Sequence, residues 1–230
     1  MPTTASATYA GGAVGYVVQA NAAGEFYGSS SLSVNFGSGS VTGSVTGIKV
    51  YDVDPGTTLQ GTMNNIAFTA GSISGATMAG TTSATGSAGT AFDIAGATGT
   101  FKGGFYGPAA AEAAGVFNLS GGTNGTTVVG SFGAKQAPSD RRLKIEVEPA
   151  GRLANGLKLY SWRYLGGTHR FTGVMAQDLL ADTRFAAAVG FGVDGLMRVD
   201  YARIGYLPAD FAAMVEEGEA AIALYHRARH

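Results

Sequence analysis

Charge is spread so unevenly along these 230 residues that the chain reads as two unlike polymers joined end to end. Residues 1–138 carry three basic side chains (Lys49, Lys102, Lys135) and five acidic ones (Glu25, Asp52, Asp54, Asp93, Glu112), whereas the remaining 92 carry twelve and eleven. Twenty-seven of the 37 glycines fall in the first stretch. A chain of this length suits one large domain or two small ones. The break in composition favours two, residues 1–138 and 139–230.

The first stretch reads as β throughout. Leu32-Ser33-Val34-Asn35-Phe36 alternates apolar and polar at period two, the pattern of a strand with one buried face. Comparable runs lie near 9–18, 40–50, 64–69, 72–81, 97–106, 113–119 and 126–134. Eight candidate strands at even spacing, joined by Gly, Ser, Thr and Asn, predict an antiparallel sandwich or up-and-down barrel. Glycine and β-branched residues disfavour helix. The recurring aromatic and aliphatic side chains separate this stretch from a disordered one. An eight-stranded barrel has an interior just filled by side chains, or room for one small ligand. A membrane barrel is a further alternative, but it needs an outward apolar band with aromatic girdles, and the Ser/Thr/Ala-rich strands show neither clearly.

After Ser139 the pattern changes to a smaller α+β module. Leu143, Ile145 and Val147 alternate with charges, as in a short strand. Leu157–Tyr164 reads as a strand, Gly166-Gly167 as a turn and Phe171–Ala176 as another strand. A short helix is expected from Gln177 to about Thr183, and Leu196–Tyr201 is strand-like. Pro208 suits the first position of a helix. Beyond it Phe211, Met214, Val215, Ile222 and Tyr225 recur at helical spacing, predicting a C-terminal helix.

Several function classes fall away. A net charge of −1 gives no electrostatic case for nucleic acid or an anionic membrane. Without cysteine there is no disulfide, thiolate metal site or lipobox. No apolar run is long enough for a membrane-spanning helix, and the start lacks the basic and apolar regions of a signal peptide. Gly190-Phe191-Gly192-Val193-Asp194-Gly195 matches G-x-G-x-x-G, but a strand-like run follows where the dinucleotide fingerprint needs a helix, so it reads as a hairpin turn. His226 and His230 stand four apart at the chain's end and read as a tail, not a metal site. No cofactor and no metal are expected. Tyr160, Trp162 and Tyr164 share one strand face and read as core or subunit contacts. His169, beside the Gly166-Gly167 turn, reads as solvated.

Two family resemblances follow from specific motifs. Gly104-Phe105-Tyr106-Gly107-Pro108-Ala109-Ala110-Ala111-Glu112-Ala113-Ala114-Gly115-Val116-Phe117, with Gly130-Ser131-Phe132-Gly133-Ala134-Lys135 after it, resembles the end of the transferrin-binding-protein-B-type β-barrel. Val34-Asn35-Phe36-Gly37 and Gly43-Ser44-Val45-Thr46-Gly47 fit the same pattern. The likeness covers most of residues 5–135 and implies the barrel. That family contains surface lipoproteins, some of which bind host iron proteins. The anchoring cysteine and large handle domains of those receptors are missing here, so transferrin binding is not carried over. Read on its own residues, Gly107-Pro108 makes a turn while Phe105, Tyr106 and Phe117 pack the barrel.

The second resemblance rests on Ser139-Asp140-x-Arg142-Leu143-Lys144, then Gly173-Val174-x-Ala176-Gln177-Asp178, then Val199-Asp200-Tyr201. In this order they are similar to the intramolecular-chaperone auto-processing domain, the peptidase S74 type that ends phage tailspikes and tail fibres. The likeness implies a homotrimer that helps the preceding segment assemble and then cuts itself off just before the serine. The scissile bond would be Pro138–Ser139, with Ser139 as nucleophile, Lys144 as its base, and Asp140, Arg142, Gln177, Asp200 and Tyr201 as supporting residues. The chemistry is sound, because a serine hydroxyl needs a base. A lysine serves only when burial or a neighbouring cation lowers its pKa, and Arg141 and Arg142 are candidate cations. Pro138 restricts the backbone on the acyl side of the bond. The sequence does not reveal the oxyanion donors.

Besides a small outer-membrane barrel with a soluble tail, the weakest of three readings, two functions are open on these grounds. One is a fibre-type or surface-presented protein, virion- or tail-associated or on a bacterial surface, with a self-releasing assembly chaperone. The other is a ligand- or partner-binding barrel, for instance toward a host or surface receptor, with a retained oligomerisation domain.

Overall fold

The structure is a computed structural model that describes residues 6–53, 58–86, 91–107, 110–192, 194–201 and 203–228. Nine strands build the first sheet: β1 (Ser6–Gln19), β2 (Ala22–Asn35), β3 (Ser40–Tyr51), β4 (Leu59–Thr62), β5 (Asn65–Ser74), β6 (Thr77–Thr85), β7 (Ala97–Tyr106), β8 (Glu112–Gly121) and β9 (Thr126–Lys135). Every pairing in this sheet is antiparallel, each strand lies beside its sequence neighbours except that β5 passes over β4 to pair with β3, and β1 pairs with both β2 and β9. β2 also pairs with β3, so eight strands close on themselves while β4 hooks onto β3. Closure removes the open edges at which a sheet would aggregate. Of the two all-β architectures open to the sequence, the chain adopts the barrel.

The barrel interior is filled by side chains. Phe68 stacks on Phe101 with ring centroids 5.0 Å apart and tilts against Phe132 and Phe117 at 5.2 and 5.5 Å. Tyr9, Phe26, Leu32, Ile48, Ile66 and Val128 complete this core. Phe105 and Phe117 are buried in it as expected, whereas Tyr106 is 56% exposed and lies on the outer surface. Pro108, expected to complete a turn with Gly107, lies outside the described residues.

The strand boundaries differ from the sequence reading in instructive ways. The run 72–81 is the end of β5, a turn with Gly75 at φ +59°, and the start of β6. β2 begins ten residues before Leu32, and β4 was not foreseen.

Residues after 135 pack around a second hydrophobic cluster that contains Trp162, Tyr164, Leu179, Leu196, Tyr201, Met214 and, from β1, Ala10. Two small sheets frame it. One orders β10 (Ala137–Pro138), β15 (Met197–Val199) and β14 (Val189–Phe191), and the other orders β11 (Lys144–Arg152), β12 (Lys158–Tyr164) and β13 (Arg170–Gly173). Helices α1 (Ala176–Ala181) and α2 (Phe211–Arg227) complete the module. β14 and β15 form the hairpin expected around Gly190–Gly195, of which Val193 lies outside the described residues. Leu143 closes a 3-10 turn and does not belong to a strand. The strand from Phe171 stops at Gly173, so Ala176 opens α1 instead. Pro208 is not a first helical residue, since α2 starts at Phe211 behind Asp210.

An ion-pair chain joins the two parts. Lys135, at the end of the barrel, pairs with Glu112 at 3.2 Å and with Glu219 of α2 at 3.1 Å. Glu219 reaches Arg198 of β15 at 3.3 Å, and Arg198 reaches Asp194 at 3.0 Å. Among the described residues no helix is long and apolar enough to cross a membrane.

Candidate active site

Three elements converge on Ser139. It follows β10, whose pairing with β15 continues through a hydrogen bond from the Ser139 amide to the Met197 carbonyl at 2.9 Å. The 3-10 turn Arg141–Leu143 then reverses the chain so that Lys144, five positions on, comes back beside it. Lys144 opens β11 and is the direct cross-strand partner of Tyr164 on β12.

The Lys144 amine lies 3.1 Å from the Ser139 hydroxyl. Both side chains are fully buried or nearly so, at 2% and 0% exposure. The Val174 carbonyl accepts from both, at 3.0 Å from Lys144 Nζ and 3.0 Å from Ser139 Oγ. Met175 Sδ stands 3.6 Å from the amine, and the Trp162 ring lies under it at 3.7 Å from the centroid. Burial pushes the Lys144 pKa well below the ordinary lysine value; Asp140 opposes the shift and Arg141 adds to it. Of the two cations the sequence offered, Arg141 stays close, donating to the Lys144 carbonyl at 2.7 Å, while Arg142 is committed to Asp140. Desolvation, not a neighbouring cation, is the larger cause. A neutral amine has two N–H donors and a lone pair; the Ser139 proton, given to the Val174 carbonyl in the resting chain, reaches that lone pair once the hydroxyl turns toward the amine beside it.

Asp140 organises the flank. This buried carboxylate accepts from the Arg142 amide at 2.9 Å and guanidinium at 3.0 and 2.8 Å, the Gln177 side chain at 2.9 Å and the Met197 amide at 3.1 Å. Burial alone would raise its pKa, but these donors, Arg142 first, bring it down to about 2. Gln177 also accepts from the Arg141 amide at 3.0 Å, so it bridges the turn to α1. Tyr201 is fully buried, with its hydroxyl beside Ser139 and the Val174 carbonyl.

The structure thus gathers Ser139, Lys144 and Tyr201 into one buried cluster and places Asp140, Arg142 and Gln177 directly beside it. Asp200 is elsewhere: its amide donates to Ala188 at 2.8 Å and its carboxylate accepts from the Arg203 amide at 3.2 Å, shaping the turn after β15. His169 stacks on Phe171 at 4.6 Å and faces Asp210 at 3.6 Å. His230 lies outside the described residues. No metal-binding cluster occurs among the described residues.

Sequence reasoning missed two neighbours of this cluster, Trp162 and Tyr164. The sequence marks both as core or subunit contacts, and both are fully buried within the chain. Yet one forms the floor under Lys144 and the other donates its hydroxyl to the Pro138 carbonyl. The alternation along β12 marked them as inward-facing; nothing in it marked what they face.

Gly218 sets how closely α2 approaches this bond. A Cβ there would lie 3.0 Å from Pro138 Cγ and 3.1 Å from Cδ, so the helix backbone rests on the proline ring.

Comparison with known proteins agrees with this two-part organisation. Residues 1–136 match the family described as the C-lobe and N-lobe beta barrels of Tf-binding protein B. Residues 139–190 match the family described as the chaperone of endosialidase. Among solved structures, a point mutant of the vaccine antigen transferrin-binding protein B from Haemophilus parasuis Hp5 is 24% identical with a TM-score of 0.42, over 59% of this chain and 27% of that one. The isotype 1 transferrin-binding protein B from serogroup B Neisseria meningitidis is 23% identical with a TM-score of 0.40, over 58% of this chain and 25% of that one. The match therefore spans about a quarter of those chains. No curated protein matches the chain.

Proposed function

The chain belongs to the family of transferrin-binding-protein-B β-barrels and carries a chaperone-of-endosialidase domain behind the barrel; from that premise we propose a self-releasing assembly protein. Residues 1–138 form a presented head and residues 139–230 an assembly chaperone. The chaperone trimerises the chain, lets the head fold, and then cuts itself away at Pro138–Ser139. The observation that carries this reading is the buried Lys144 amine 3.1 Å from the Ser139 hydroxyl, next to the bond to be cut.

The reaction is an acyl shift followed by hydrolysis. Neutral Lys144 takes the hydroxyl proton, and Ser139 Oγ bonds to the Pro138 carbonyl carbon through a five-membered ring. The chain itself supplies proximity. Collapse breaks the Pro138–Ser139 C–N bond, the Lys144 proton passes to the released Ser139 nitrogen, and Pro138 is left as an ester on Oγ. Water then cleaves the ester, giving a Pro138 carboxylate and restoring the hydroxyl. The location that fits is a bacterial surface, as for the barrel's relatives, or a virion tail, as for the chaperone's.

A second reading has its own observation. Ser139 is fully buried and the ion pairs through Lys135 and Glu219 clamp the barrel to α2, as in a ligand-binding barrel with a retained oligomerisation domain. Expression of the native chain beside Ser139→Ala and Lys144→Ala separates the two. Self-release predicts two fragments from the native chain and one band from each variant, all trimeric before release. A native chain that stays whole as a stable oligomer supports retention.

A further inference from the structure

We infer that Tyr164 is the electrophilic donor of the cleavage reaction, its phenolic hydroxyl polarising the Pro138 carbonyl and holding the oxyanion formed on it. The inference rests on the self-cleavage reading and supplies the element that reading lacks.

The Tyr164 hydroxyl donates to the Pro138 carbonyl oxygen, the atom that gains charge as Ser139 Oγ adds. The same carbonyl belongs to β10, whose neighbouring amide at Ser139 is held by Met197. Both sides of the bond are therefore fixed, the leaving nitrogen by β15 and the oxygen by Tyr164.

The donor and the base are placed by one structural device. Lys144 and Tyr164 are directly opposite in the β11–β12 ladder. The chain from Pro138 to Ser139 crosses above this pair, so the amine meets the hydroxyl while the phenol meets the carbonyl. Trp162, two residues earlier on the same strand face, packs edge-on to Tyr164 at 6.2 Å and under Lys144 at 3.7 Å, fixing both.

The chemistry suits a phenol. Burial raises the Tyr164 pKa well above the ordinary value, which keeps its proton in place to donate. The bond is made to a neutral carbonyl in the resting chain and to an alkoxide in the tetrahedral intermediate. A hydrogen bond to an ionised acceptor is roughly twice as strong as one between neutral groups, so the gain falls on the intermediate, as catalysis requires. Ser139, Lys144 and Tyr164 are all buried, and a preorganised donor in such a site acts without reorganisation.

Two measurements test this on the full chain. The first compares the cleavage rate of Tyr164→Phe with that of the native chain and Lys144→Met. Loss of one oxyanion donor should slow cleavage roughly 10²- to 10³-fold, with the far-ultraviolet spectrum and oligomeric state unchanged. Tyr164→Phe cutting at the native rate would overturn the inference while leaving the Ser139–Lys144 reading intact. A native chain that never cleaves would overturn both.

The second measurement reads the hydrogen bond without turnover. Pro138-Ser139 is the only Pro-Ser pair in the sequence. Carbonyl-¹³C proline combined with ¹⁵N serine therefore gives a single amide correlation for this bond. In the non-cleaving Lys144→Met chain, adding Tyr164→Phe should move that carbonyl resonance upfield, as expected when a donor is lost. An unmoved resonance shows that Tyr164 does not polarise the carbonyl, and overturns the role whatever the rates.

Discussion

Replacing Lys144 by Met in a Ser139→Ala chain should change the pH dependence of stability in a way that reads the charge state of the buried amine. Lys144 is fully buried against Trp162, Met175 and the Val174 carbonyl, and desolvation lowers its pKa well below the ordinary value. In the unfolded chain the amine titrates at about 10.4. Below that pH, and above the folded pKa, unfolding takes up one proton. Stability conferred on the native state then falls as pH falls, by about 1.4 kcal/mol per pH unit, until the folded pKa is reached. Met has similar length and no charge, so its chain lacks this slope. The Met variant should be the more stable at neutral pH, with its advantage shrinking by about 1.4 kcal/mol for each unit of rising pH. Trp162 is the only tryptophan in the chain and touches the substituted side chain. Its fluorescence in urea titrations at pH 7, 8 and 9 therefore follows the relevant transition. The raised tyrosine pKa values are common to both chains and cancel in the difference. A difference that does not vary with pH would mean that Lys144 keeps its proton when folded, and the general-base assignment would fall.

Two further outcomes follow from the same geometry. Asp140→Asn should cost about 2–3 kcal/mol at neutral pH, because the carboxylate's pKa is brought down to about 2 by its donors; that difference is fully present above about pH 4 and is lost as pH falls through the folded value, which urea titrations at pH 7 and in acid would show. Gly218→Val should destabilise the chain by about 1–3 kcal/mol through overpacking and slow cleavage, since its side chain must displace Pro138; an unchanged melting temperature together with an unchanged rate would refute the role of α2 as a rest for the scissile strand.

Much of the barrel is legible in the sequence because its inward residues are large. Where they are small, the signal fails. β2 points Gly24, Phe26, Gly28 and Ser30 inward before Leu32 and Val34, so most of its first half shows no apolar alternation. A Cβ at Gly28 would lie 2.9 Å from Val45 Cγ1, so the space that a larger residue would fill is taken by a neighbouring strand. β5 and β6 merged into one run because a tight turn at Gly75 leaves no polar gap in the pattern. In the site, the Ser139–Lys144 spacing was legible because the contact is local, made by one 3-10 turn. Trp162 and Tyr164 join it through the β11–β12 hairpin, whose register shifts between Ile145 and Glu148 and again between Pro149 and Gly151, so the facing pairs do not follow from strand spacing. Asp140 was visible only through the family motif; its function as acceptor for Arg142, Gln177 and Met197 needed the folded chain.

The central claim, that this chain cuts itself before Ser139, is tested most directly by intact-mass spectrometry of freshly expressed protein. The account predicts two pieces whose masses sum to the full chain plus one water, the barrel piece ending at Pro138 and the C-terminal piece beginning with a free amine at Ser139, both missing from Ser139→Ala. A single mass for the uncut chain after prolonged incubation of the assembled protein, or a cut at any other bond, would contradict it.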